Sequence, residues 1–360
     1  MACFTTEFVL HTDNASVWAI DSCQVGQDIW VVQRTSRTEV SMHKWNIDTA
    51  IWNTIDFKNR EMIEVALDIG FRMCSSDNKL YLWTSYDGSG RLFSFDMTTY
   101  EWTPIGFPHI LGPVGSESEM VVLNNDIYLK YGNHTIYITS LGSTERMRQR
   151  LPNGYNGQPN KFSLCGMDGI MYLVQILQNG CRNVAKYDRE NQNLVIVKAC
   201  NTPRSYLKHT GPGEKYQTST YACNNKIYQR VQWKDRLIID CFDIETMEFH
   251  TIFDTVHNGG NAIKMSGTDK HAYLIYRWDG AIAFRVIDLN PSLETISLIM
   301  AVDHTVENET DVNAMKKVLP YGLRKQFENI VTWKIEEWER LHCKRNAGFR
   351  PMRLFGTDYY

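Results

Sequence analysis

The chain has 360 residues, with 38 basic and 41 acidic side chains, a net charge of −3 and 43% apolar residues. This balance makes no general case for nucleic acid or a membrane surface as partner, and no apolar run reaches the length of a membrane span. Nine scattered cysteines without a Cys-x-x-Cys pair, and a start at Met1 to Leu10 unlike an export signal, lead us to expect reduced thiols in an intracellular protein, cytoplasmic or nuclear.

The first predicted element is a strand, Thr6-Glu7-Phe8-Val9-Leu10, with no pairing partner nearby in sequence. Six apolar runs follow, each after a polar, Gly- or Asn-rich turn and each with Tyr or Trp near its centre. They are Asp28-Ile29-Trp30-Val31-Val32, Lys79-Leu80-Tyr81-Leu82-Trp83, Asp126-Ile127-Tyr128-Leu129, Ile170-Met171-Tyr172-Leu173, Lys226-Ile227-Tyr228 and His271-Ala272-Tyr273-Leu274. They recur roughly every 44 to 56 residues, the period of propeller blades rather than of helical repeats. Downstream of them, Trp45-Asn46 leads to Trp52, Phe95-Asp96 to Trp102, Tyr187-Asp188 to Leu194 and Phe242-Asp243 to Phe249. This reads as an alternating strand, a turn whose Asp or Asn accepts hydrogen bonds from its own backbone, and an outer strand opened by a bulky apolar residue. Ile287-Asp288 begins the same pattern, and the repeat around Ile136-Tyr137-Ile138 is degenerate. The fold class predicted is all-β: a six-bladed β-propeller closed by the N-terminal strand, which completes the last blade and so removes an open edge.

Past Pro291 the two-residue alternation stops. Phe327, Val331, Ile335, Trp338 and Leu341 recur every three or four residues, which predicts one apolar helical face. The propeller is assigned to residues 1–290, a helical tail to 291–347 and an irregular end to 348–360. At the first boundary stands Pro291-Ser292-Leu293-Glu294-Thr295-Ile296-Ser297-Leu298-Ile299-Met300-Ala301, and later Leu319-Pro320-Tyr321-Gly322-Leu323-Arg324. On a helix, Leu293, Ser297 and Ala301 share a face, a leucine knob beside two small residues. The β-branched Thr295, Ile296 and Ile299 suit instead an outer strand of the sixth blade. The two readings are exclusive: if residues 6–10 supply that strand, Leu293 is left to a helix.

The two motifs together resemble the Elongin C-binding box followed by a Leu-Pro cullin box. Their placement after a propeller is similar to the end of kelch-domain-containing substrate receptors of Elongin BC/cullin-RING ubiquitin ligases. The resemblance implies a kelch-like ring, Elongin C contacts through Ser292, Leu293, Ser297 and Ala301, and cullin contacts through Leu319, Pro320 and Leu323. It also implies a propeller face that captures a substrate protein by a peptide or its C-terminal tail, with basic side chains meeting the terminal carboxylate. The family's arginines are not kept at their places; Lys161, Arg204, Lys208, Lys215 and Tyr216 are the candidates for substrate contact here. Val32-Gln33, Trp83-Thr84 and Tyr228-Gln229 stand where the family carries Gly-Gly doublets.

The ten histidines are scattered, and no His-Glu-x-x-His occurs. Gly88-Ser89-Gly90 sits in a hairpin turn, and Gly211-Pro212-Gly213-Glu214-Lys215 lacks the spacing of a phosphate loop. The expectation is a chain with no catalytic activity of its own and no cofactor or metal. A propeller scaffold for protein–protein interaction, without a ubiquitin-ligase role, stays open beside the adaptor.

Overall fold

The computed structural model describes residues 5–10 and, with gaps in connecting segments (the longest at 106–113, 151–160 and 201–215), residues 19–289. Strand β1 (Thr5–Leu10) opens the chain. Blade 1 is β2 (Ala19–Val25), β3 (Asp28–Arg34), β4 (Val40–Asn46) and β5 (Ile51–Ile55), followed by a short helix, α1 (Arg60–Ala66). Blade 2 is β6 (Phe71–Ser76), β7 (Lys79–Tyr86), β8 (Ser89–Asp96) and β9 (Glu101–Ile105). Blade 3 is β10 (Glu119–Leu123), β11 (Asp126–Tyr131), β12 (Thr135–Ser140) and β13 (Met147–Arg150). Blade 4 is β14 (Lys161–Met167), β15 (Ile170–Ile176), β16 (Arg182–Asp188) and β17 (Asn193–Cys200). Blade 5 is β18 (Tyr216–Cys223), β19 (Lys226–Trp233), β20 (Arg236–Asp243) and β21 (Glu248–Val256). Blade 6 is β22 (Ala262–Gly267), β23 (His271–Trp278) and β24 (Ala281–Asp288), completed by β1. The protein is a six-bladed β-propeller.

β1 lies antiparallel on the outer edge of β24, from Thr5 opposite Ile287 to Leu10 opposite Ile282. It closes the ring by joining the chain's first strand to its last blade. Because β24 is bonded to β23 on its other side, its outer edge is already taken. The alternative outer strand at 293–300 therefore has no place on that edge. The predicted tail, residues 291–347 with its Elongin C and cullin motifs, and the irregular end lie outside the described residues.

The six aromatic runs are the second strands of the six blades, and the aromatic is the third residue each time: Trp30, Tyr81, Tyr128, Tyr172, Tyr228 and Tyr273, all buried. Second strands are covered on both faces by neighbouring blades, so they read as continuous apolar runs. Alternation then sends successive side chains to opposite seams. In β3, Trp30 and Val32 pack toward blade 2, while Ile29 and Val31 pack toward blade 6. The hydrophobic core is accordingly divided into six seams, one between each pair of adjacent blades. Turns of Asn124-Asn125 and Asn224-Asn225, all four at positive φ, join first to second strands in blades 3 and 5.

The second repeated element is just as regular. Trp45 pairs with Trp52, Phe95 with Trp102, Tyr187 with Leu194 and Phe242 with Phe249, each directly across the third and fourth strands. The two repeat elements also touch one another across the seams. Trp30 meets Phe95 at 5.9 Å between ring centroids, Tyr128 meets Tyr187 at 5.6 Å and Tyr273 meets Trp45 at 5.8 Å. One blade's second-strand aromatic thus packs on the next blade's third strand, with edge-to-face geometry that favours aromatic pairs. No helix among the described residues is long and apolar enough to cross a membrane.

Candidate functional site: the axial channel

Each blade starts with its inner strand, so β2, β6, β10, β14, β18 and β22 run in one direction around the axis. They line a channel of about 890 Å³. An inner strand is paired on one side only, and the backbone groups of its free edge need partners. Side chains from adjacent blades supply several of them. Asp21 Oδ2 accepts the Met73 N–H at 2.7 Å, and Lys264 Nζ donates to the Met73 carbonyl at 2.6 Å. Glu119 Oε2 accepts the Leu164 N–H at 2.6 Å, while Thr220 Oγ1 donates to the Leu164 carbonyl at 2.9 Å. Arg72 donates from Nε to the Ser118 carbonyl and from Nη2 to the Gly115 carbonyl, both at 2.6 Å. Much of the channel's charge is therefore spent on joining blade to blade.

The two ends of the channel differ. The first halves of the inner strands carry Asp21, Arg72, Glu119, Lys161 and Lys264, with Lys130 and Arg230 reaching in from second strands. Lys264 lies 3.3 Å from Asp21 Oδ1, and Lys130 lies 3.5 Å from Glu119 Oε1. Lys130 also donates to the Phe162 carbonyl and sits 4.6 Å from that ring's centroid. Burial lowers the Lys130 ammonium's pKa, partly opposed by Glu119, and burial pushes the Arg230 guanidinium down to about 10. The other halves carry small residues and thiols. Burial raises Cys23, Cys165 and Cys223 to about 12, and Cys74 rises for the same reason. These thiols stay protonated and unreactive at neutral pH.

No family model and no curated relative matches the chain. The likeness is one of fold. A sialidase from Trypanosoma rangeli, solved as a covalent intermediate with 2,3-difluorosialic acid, is 12% identical with a TM-score of 0.50; the match covers 85% of this chain and 61% of that one. A mutant of AofleA from Arthrobotrys oligospora is 10% identical with a TM-score of 0.51, over 79% of this chain and 86% of that one. The SapL1 lectin in complex with alpha methyl fucoside is 11% identical with a TM-score of 0.46, over 76% and 97%.

The sialidase corrects one expectation. The chain was read as having no catalytic activity because no linear motif for it occurs. A propeller trapped as a covalent intermediate shows that this fold can carry catalysis, so that exclusion falls. At 12% identity the likeness gives the fold and assigns no activity to this chain.

Of the candidates for substrate contact, Lys161 opens β14 and lines the channel, and Tyr216 opens β18 with its backbone opposite Trp233. Arg204, Lys208 and Lys215 lie outside the described residues. Sequence reasoning missed Asp21, Arg72, Glu119, Lys130, Arg230 and Lys264. One signal was available for two of them. At the fifth position of the second strands stand Val32, Trp83, Lys130, Val174, Arg230 and Ile275, so a cation interrupts an apolar position in two blades.

Proposed function

We propose that the ring is the target-recognition module of an adaptor in the cytoplasm or nucleus, linked by the sequence beyond residue 290 to Elongin B/C and a cullin. The observation that carries this reading is β1 on the edge of β24, which completes the last blade without any residue after Asp288. That is consistent with Ser292, Leu293, Ser297 and Ala301 meeting Elongin C, and with Leu319, Pro320 and Leu323 meeting the cullin. The target, a protein held by a peptide or its C-terminal tail, approaches the charged mouth of the channel. Lys161 and Tyr216 open two inner strands there, and Arg204, Lys208 and Lys215 belong to the segment leading into β18. Cations at a rim favour an acidic or acid-ended peptide through charge-assisted hydrogen bonds.

Co-purification tests the reading. Wild-type chain should retain Elongin B and C, and Leu293→Asp should lose them while its circular dichroism and Tm stay unchanged. An unaltered pull-down rejects the ligase linkage and leaves a propeller scaffold. A peptide library with free and amidated C-termini tests the target end, since equal capture of both forms dismisses recognition of a terminal carboxylate.

A further inference from the structure

Beyond what the ring recognises, we infer that the seam between blades 4 and 5 holds internal water bonded to the side-chain amide of Gln229. The repeat singles this seam out. At the fourth position of the second strands stand Val31, Leu82, Leu129, Leu173, Gln229 and Leu274. The five apolar residues are 2% exposed or less, and each packs in the seam toward the preceding blade around the ring. Gln229 takes the same place in the seam toward blade 4, on the face it shares with Ile227, and is 1% exposed. Neither its Oε1 nor its Nε2 has a hydrogen-bond partner in the protein.

The residues beside Gln229 across the sheet are polar as well. Thr220, Gln229, Asp240 and Thr251 stand directly opposite one another on the four strands of blade 5. The matching row in blade 2 begins Met73, Leu82, Phe93, and in blade 4 Leu164, Leu173, Ala185. The hydrogen bonds of the polar row run past Gln229. Thr220 Oγ1 donates to the Leu164 carbonyl at 2.9 Å, and Thr251 Oγ1 donates to Asp240 Oδ1 at 2.7 Å. Asp240 Oδ2 accepts from Arg182 Nη1 of blade 4 at 2.6 Å. The Nε of that arginine, a side chain 4% exposed, has no partner in the protein either.

A buried amide left unbonded is costly, and folded proteins satisfy nearly all such groups with protein atoms or ordered water. Arg182 and Asp240 cancel one another's charge, so the seam calls for a neutral occupant. Water is the smallest neutral molecule that both donates and accepts. It can donate to the Gln229 Oε1 and accept from its Nε2 or from the Arg182 Nε–H. An internal water needs about two to four polar partners, and this row supplies that many. Thr220 also lines the axial channel, so the polar row starts at a wall that solvent reaches.

Two measurements on the full chain test this. A wild-type crystal structure that shows ordered solvent should place a water about 2.7–3.2 Å from an amide atom of Gln229. An amide that bonds only protein atoms, or has no water within that reach, overturns the inference. In solution, oxygen-17 magnetic relaxation dispersion counts the long-lived waters held inside a protein. Gln229→Leu, which copies the residue of blades 2, 3, 4 and 6, should lose at least one such water and keep or raise Tm. An equal count in wild type and variant refutes the site. If Gln229→Leu does not fold, the wild-type crystal decides alone. Neither readout depends on the target of the ring, so failure here leaves the adaptor reading standing, and the reverse holds as well.

Discussion

At Asp96, Asp188 and Asp243, one carboxylate oxygen accepts two backbone N–H groups of the turn that follows. The distances are 2.8 and 3.1 Å to Thr98 and Thr99, 3.0 and 3.1 Å to Glu190 and Asn191, and 2.9 and 3.1 Å to Glu245 and Thr246. Asn46 does the same work in blade 1, accepting from Thr49 N at 3.0 Å. These bonds favour the charged form, so each of the three carboxyls is held below the usual carboxylate range. For Asp96 and Asp243 a turn N–H is the main cause, and for Asp188 it is the Asn191 side chain. A pKa lower in the folded than in the unfolded chain stabilises above the unfolded value and is lost as pH falls through the folded one. Asp243→Ala should therefore lower Tm at neutral pH, and its Tm should converge on that of the wild type as pH drops below about 4. Asp243→Asn should retain most of the stability, as Asn46 does. Circular-dichroism melts across pH read this directly; parallel curves for wild type and Asp243→Ala would count against the turn bonds.

Among the elements, β1 has the largest consequence for its size. Six residues cover the outer edge of β24, which would otherwise present unpaired backbone groups to another chain. Deleting residues 1–10 should lower Tm and produce concentration-dependent self-association in size-exclusion chromatography. A synthetic peptide of residues 1–12 added in trans should recover part of the lost Tm. A truncated chain that melts and elutes like the full one would show that the latch contributes nothing. The second strands belong to this scale as well. Their apolar runs were legible because burial on both faces removes polar residues, and their tyrosines were legible because one position in each blade always faces the next blade.

In the whole molecule, the seams carry polar ties as well as apolar ones. Arg182 Nη1 donates to Asp240 Oδ2 at 2.6 Å between blades 4 and 5, both side chains buried, and Thr251 Oγ1 donates to Asp240 Oδ1 at 2.7 Å. Arg189 and Asp126 tie blades 3 and 4 at 3.0 Å, but the arginine is 65% exposed. Burial decides which tie matters. Asp240→Ala leaves a buried guanidinium uncompensated and should cost about 3–5 kcal/mol in urea unfolding, whereas breaking the exposed pair should cost about 0–1 kcal/mol. Replacing Arg182 and Asp240 together by Met and Leu should recover most of the loss, and equal costs for the two pairs would contradict this ranking.

The repeat, the blade count, the turn-capping carboxylates and the latch strand could all be read from the sequence. The first three depend on alternation along one strand or on pairs a few residues apart and recur often enough to stand out, whereas the latch was legible as a single apolar strand with no partner nearby in sequence. The enzyme exclusion did not survive, because a sialidase shares this fold and the lack of a linear motif does not exclude catalysis on it. The channel charges were decided by ring closure. Lys264 meets Asp21 across 243 residues of sequence, and Glu119 meets Leu164 only because blade 4 follows blade 3 around the axis. Local periodicity is written along the chain, whereas the partners of a free inner edge exist only once six blades share an axis.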